Sequence, residues 1–321
     1  MAGSHARIPA ADQGTGGTGI VPVTWFDRPA RQHSTSGVRR RRGPTRPVVM
    51  PLTVLHASHP VPTIAVTLLS FFLALAFGVP TGNVVMIVVA VFFNQIAIGL
   101  SNDIVDVGRD RRAKRTDKPL VNGALSLRTA WAIVVASSVL SLVLSVLVNP
   151  WVGLGQAVFL LSGFAYNAGL KATLWSAVPY ATGFAALPAL VSAGTQPPSW
   201  PGWWVLLVGA SLGVGAHFAN VLPDAESDRA EGIRGLPQRV SPGVTAGALV
   251  ALTTLSAVVL IWQGGASARW VTVPAGVAAV VSASAAALFV LRTPAPVWPF
   301  RLSMIAAGLI AIGLLGALQG N

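Results

Sequence analysis

Long runs without a single Asp, Glu, Lys or Arg decide what this chain can become. They cover residues 47–102, 129–170, 172–223, 240–268, 270–291 and 302–321. A helix that crosses the hydrocarbon core of a bilayer needs about 20 apolar residues, and that core holds no water to satisfy open backbone, so each run must be one or two spanning helices. The three longest runs each hold two, because turn-forming sequences interrupt them at Pro80-Thr81-Gly82-Asn83, at Asn149-Pro150 and between Thr195 and Gly202. Nine helices are expected, near 61–79, 84–104, 129–148, 151–167, 174–193, 203–223, 243–263, 270–291 and 301–318. Only 10% of the residues are charged and 53% are hydrophobic, whereas a soluble domain carries about 25% charged residues. The expected fold class is an all-α membrane protein of about nine transmembrane helices.

Short cytoplasmic loops retain Lys and Arg. With the N-terminus inside, every basic residue except Arg269 falls on the cytoplasmic side, which predicts a multi-pass protein of the cell membrane. Trp151, Trp175, Trp203, Trp204, Trp262 and Trp270 lie near proposed helix ends, as interfacial anchors do. The net charge of +12 sits mainly beside the membrane, so anionic lipid headgroups and phosphorylated substrates are the expected partners, and nucleic acid is not. Absence of cysteine excludes disulfides, thiolate metal sites and a cysteine nucleophile. Residues 1–50 are rich in Gly, Pro, Ser, Thr and Arg and have no apolar core segment; they are expected to form a disordered basic cytoplasmic tail ahead of a transmembrane domain at 51–321.

Eight of the ten acidic residues lie in two short segments, 103–117 and 224–231, where apolar runs stop. Asn102, Asp106 and Asp110 repeat in steps of four, and so do Asn220, Asp224 and Asp228. Such steps drift only about 40° each around a helix, so each motif presents one strip of oxygen ligands. His217 lies seven residues and Asn220 four residues before Asp224, on the same face, while Asn94 and Gln95 stand two turns before the first motif. Amides in a span are costly unless they face a polar interior, which makes Asn94, His217 and Asn220 candidate pocket residues; a helix-to-helix hydrogen bond is the alternative for Asn94. His56 and His59 precede the first span and are expected at the membrane interface. Lys171 is the single charge between Arg128 and Asp224.

Carboxylates that converge at a membrane surface repel one another unless cations sit between them. All-oxygen ligands favour Mg²⁺, which is usually held by a few carboxylates together with substrate phosphate oxygens. In the loop after the first motif, Arg109, Arg111, Arg112, Lys114, Arg115 and Lys118 alternate with Asp110 and Asp117, a mixture that suits a metal-bridged phosphate. A diphosphate head between the strips, with a hydrophobic tail among the helices, fits this pattern.

These residues carry a resemblance. Asn102-Asp103-Ile104-Val105-Asp106-Val107-Gly108-Arg109-Asp110 resembles the Asn-Asp-x-x-Asp-x-x-x-Asp motif of the UbiA superfamily of intramembrane prenyltransferases. Arg115-Thr116-Asp117-Lys118-Pro119-Leu120 is similar to that family's Arg-Thr-x-x-Arg-Pro-Leu, with Lys118 in place of Arg; Asp224 to Asp228 matches its second Asp-x-x-x-Asp, and Tyr166 with Lys171 matches its Tyr-x-x-x-x-Lys pair. The segment from Asp224 to Arg234 looks like the menaquinone branch, although Pro223 stands where that branch often has Arg. The resemblance covers residues 51–321 and implies a helical bundle with a central cavity open to the cytoplasmic side. It implies Mg²⁺-dependent ionisation of an isoprenyl diphosphate, followed by attack of an aromatic or other lipophilic acceptor, with quinone biosynthesis as one setting. Asn102, Asp106, Asp110, Asp224 and Asp228 would then hold metal, Lys114, Arg115, Lys118, Lys171 and Arg229 would contact diphosphate, and Asp103, Tyr166 and Lys171 would be catalytic, Asp103 as metal ligand or base. A terpene cyclase of the same superfamily and a transporter using buried carboxylates are the competing readings. Transport sites lie near the midplane, whereas these carboxylates lie at helix ends.

Overall fold

The computed structural model describes residues 50–222, 232–292 and 297–319. Its helices are α1 (Met50–Ala57), α2 (Pro60–Ala76), α3 (Thr81–Arg112), α4 (Pro119–Asn122), α5 (Leu127–Val148), α6 (Pro150–Asn167), α7 (Val178–Ser192), α8 (Trp203–Val221), α9 (Leu236–Arg239), α10 (Pro242–Gln263), α11 (Gly265–Arg292) and α12 (Val297–Gln319). Two 3₁₀ turns, Leu170–Ala172 and Leu174–Ala177, join α6 to α7. Among the described residues, seven helical stretches are long and apolar enough to cross a membrane. The pair α1–α2, bent by 86° at its break, makes up to eight. The ninth expected helix exists as α6, but Gln156, Tyr166 and Asn167 lower its hydropathy, so nine spans is an approximation.

Helix α5 shows how this fold inverts the usual pattern of a soluble helix. Ser137, Ser141 and Ser145 are buried, while Val135, Val139, Val143 and Val146 lie on the exposed face. Both series follow helical spacing, with hydroxyls inward and apolar side chains toward lipid. The Gln156 Nε2 on α6 donates to Ser141 Oγ at 2.6 Å and to the Ala90 carbonyl on α3 at 3.3 Å, joining three helices through one buried amide. A tightly packed apolar core is built from Leu73, Ile87, Val91, Leu187, Leu190, Val191, Leu260 and Ile310.

Two features place the acidic segment. Instead of ending near 104, α3 runs on to Arg112, so the whole first motif is helical. Its last turn holds Arg109, Arg111 and Arg112, cations that suit the negative end of the helix dipole. The second feature is the break between α1 and α2, where His59 adopts a left-handed φ of 59°. That break lies directly on α3: a Cβ at Gly99 would come within 2.3 Å of the Ser58 carbonyl oxygen, so only glycine fits there. Below, Ala57, Leu100, Ile104, Leu120, Leu125, Ala130 and Val134 form a second apolar cluster that fastens the loop after α3 to α3 itself.

Candidate active site

One turn beyond Gly99, the Asp103 carboxylate is buried, with 2% of its side chain exposed. Its Oδ1 accepts a hydrogen bond from Lys118 Nζ at 2.5 Å and lies 3.3 Å from His59 Nε2. The chain can bring Lys118 back because Lys114 turns in the left-handed region (φ 54°) and the Arg115 amide caps the Asp110 carbonyl at 2.9 Å. The loop that carries the basic residues is thus pinned to α3 by a buried ion pair.

A second ion-pair cluster follows one turn on. Asp106 Oδ1 accepts from Lys171 Nζ at 2.5 Å, and its Oδ2 lies 2.7 Å from an Arg109 guanidinium nitrogen. Only 13% of the Asp106 and Lys171 side chains is exposed. Lys171 comes from the 3₁₀ turn after α6, and that turn is tied to α3 by Asn167, whose Nδ2 donates to the Ile98 carbonyl and to Ser101 Oγ. The repulsion expected between neighbouring carboxylates is therefore met by the chain's own cations.

Beyond Lys171 lies an aromatic group. Tyr166 and Tyr180, the two tyrosines of the chain, meet edge to face with ring centres 5.0 Å apart. The His217 ring is 5.6 Å from Tyr166 and 4.8 Å from Tyr180. Asn220 Nδ2 donates to the Tyr180 hydroxyl at 3.4 Å, and His217 Nε2 is hydrogen-bonded to Ser176 Oγ at 2.9 Å. His217 is fully buried, and its Nδ1 has no partner among the described residues.

Several expected site residues therefore come together: Asp103 with Lys118, Asp106 with Lys171, and Tyr166 with His217 and Asn220. Asn102 and Asp110 lie half-buried on the same helix as Asp106, four residues away on either side. Lys114 and Arg115 are exposed on the loop. The Arg115 side chain hydrogen-bonds Asp117 at 3.2 and 3.3 Å and holds that carboxyl below its ordinary range. Asn94 is wholly buried two turns deeper, where the neighbouring Gln95 Nε2 lies 3.5 Å from its Oδ1. Asp224, Asp228 and Arg229 lie outside the described residues, and with them the expected second strip. His59, Ser176 and Tyr180 join the site without having been singled out for it from sequence, and Arg109, expected only among the loop cations, lies in the last turn of α3 as a partner of Asp106; nothing in the sequence marks Tyr180.

Among the described residues, no three acidic or histidine side chains converge on a metal-sized point. The donor set still suits a hard cation, since Asn102, Asp106 and Asp110 offer oxygen ligands along one helical face, and Mg²⁺ needs only one or two carboxylates beside phosphate oxygens. The fold and this site define a multi-pass helical membrane protein with a carboxylate and cation cluster at the ends of its helices. The model of the UbiA prenyltransferase family matches residues 63–312, and the chain belongs to that family. It is 31% identical over 147 residues to the bacteriochlorophyll synthase 33 kDa chain of Cereibacter sphaeroides, a match covering 40% of this chain and only 45% of that relative. In structure it is similar to a UbiA homologue from Aeropyrum pernix K1, with a TM-score of 0.64 at 19% identity over 83% of this chain and 98% of that one. It is also similar to a UbiA homologue from Archaeoglobus fulgidus bound to GPP and Mg²⁺, with a TM-score of 0.60 at 18% identity over 84% of this chain and 100% of that one.

Proposed function

We propose that this protein transfers an isoprenyl group from an isoprenyl diphosphate to a lipophilic acceptor, aromatic or otherwise, at the cytoplasmic face of the cell membrane. Quinone biosynthesis is the setting we favour. The observation that carries the reading is the Lys171–Asp106 pair, because it brings the Tyr166-to-Lys171 segment onto the acidic strip of α3 across 65 residues of chain. In this reading Asn102, Asp106 and Asp110, with Asp224 and Asp228, hold Mg²⁺. When bound, Mg²⁺ neutralises the diphosphate and makes it a better leaving group.

The remaining work belongs to the chain. Lys171 and the loop cations Lys114, Arg115 and Lys118, with Arg229, take up the charge that leaves when the C1–O bond breaks and its electron pair goes to the diphosphate. Asp103 keeps Lys118 in place. The rings of Tyr166 and Tyr180 stand beside the allylic cation, whose charge an aromatic face stabilises. The acceptor's nucleophilic atom then bonds to C1 and gives up its proton to a base, either Asp103 or the released diphosphate. Incubating membranes that contain the protein with radiolabelled isoprenyl diphosphates of several lengths tests this. Label should enter the lipid extract only when an acceptor is present. A labelled hydrocarbon formed without acceptor would make the protein a cyclase, and diphosphates left intact would refute the reading altogether.

A further inference from the structure

A hydroxyl absent from every motif joins three parts of the site. Ser176, in the second 3₁₀ turn, is fully buried. Its Oγ accepts the Leu236 backbone N–H at 2.8 Å and hydrogen-bonds His217 Nε2 at 2.9 Å. His217 sits on α8, shortly before residues 223–231, and Leu236 opens α9, shortly after them. The described stems on both sides of that segment therefore meet at one side chain. Five residues before Ser176, the same short connection carries Lys171. There the fit is close: a Cβ at Gly235 would come within 2.4 Å of the Lys171 carbonyl oxygen and 3.0 Å of Ser176 Oγ.

The geometry points to Ser176 as a positioning residue for the diphosphate end of the site. It acts through Lys171, by fixing the backbone of the Lys171 turn against Gly235 and Leu236 on one side and against α8 on the other. A hydroxyl is needed because it can accept from a backbone N–H and still share a hydrogen with an imidazole; alanine can do neither. Residue 235 must be glycine for the two backbones to touch. The inference rests on the prenyl diphosphate reading of the same site, and it adds to that reading a determinant of donor binding that makes no contact with the donor itself.

Two variants test it by different routes. Ser176→Ala removes the hydroxyl, and Gly235→Ala keeps the hydroxyl but pushes the Lys171 carbonyl away. Each should raise the KM for the isoprenyl diphosphate by roughly tenfold, the equivalent of one lost hydrogen bond to a charged group. Amide exchange at Leu236 should become faster in Ser176→Ala. Lower melting temperatures with an unchanged KM in both variants would show a merely structural hydroxyl and overturn the proposal. Wild-type protein that neither binds nor turns over any isoprenyl diphosphate would instead remove the underlying reading, and the proposal with it.

Discussion

Lys118 and Lys171 make similar bonds in dissimilar surroundings, and the difference gives opposite expectations for their removal. Lys118 serves a carboxylate that is 2% exposed, with the 44% exposed His59 as its other partner. Lys118→Met therefore strands a buried charge and should cost about 3 kcal/mol of stability, whereas Asp103→Asn leaves a lysine that can reach water and should cost about 1 kcal/mol. The double variant should recover most of the loss, a coupling that chemical denaturation of all three proteins in detergent would measure. Lys171→Ala leaves Asp106 its Arg109 partner, so the cost should stay near 1 kcal/mol while donor affinity drops at least tenfold by equilibrium binding. Unchanged donor affinity would return Lys171 to the role of an interfacial cation. The roles of these residues were only partly legible in the sequence. Asp106 and Lys171 each stood out by type and place, but that Lys118 closes on Asp103 depends on the left-handed turn at Lys114, which no spacing rule reveals.

At the scale of elements, the four-residue step of Asn102, Asp106 and Asp110 was readable because a helix of 3.6 residues per turn permits few other arrangements. Those steps also require helix as far as Asp110, whereas the length of the apolar run placed the end of the span near 104. The Asp and Arg content of residues 103–112 resembles a loop in hydropathy, yet the terminal arginines complement the helix dipole and carry the helix to Arg112. The same distinction between pattern and partner holds for α5, whose Ser137, Ser141 and Ser145 face inward. Ser141→Ala should cost about 1 kcal/mol by depriving Gln156 of its closer partner, while Val139→Ala on the lipid-facing side should change stability by less than about 0.5 kcal/mol. Thermal melting of both variants would check this contrast, and equal effects would contradict the inside-out reading of α5.

For the whole molecule, apolar run lengths and the distribution of Lys and Arg were enough to predict a multi-pass helical bundle, because the bilayer admits so few alternatives. The meeting of distant segments was not predictable in this way: α3, the turn after α6, and α8 are brought together by Asn167, Ser176 and His217, contacts that span 41 to 69 residues. In the proposed function, the site built around Asp106 and Lys171 binds an isoprenyl diphosphate together with Mg²⁺. Melting of the detergent-solubilised wild type and of Asp106→Asn, each with and without Mg²⁺ plus a non-reactive diphosphate analogue, tests it most directly. A ligand at 100 times its Kd stabilises the native state by about 2.7 kcal/mol. Wild type should show a clear rise in melting temperature with the ligand pair, and Asp106→Asn should show almost none while remaining folded and inserted. An equal rise in the variant, with transfer activity intact, would contradict the claim.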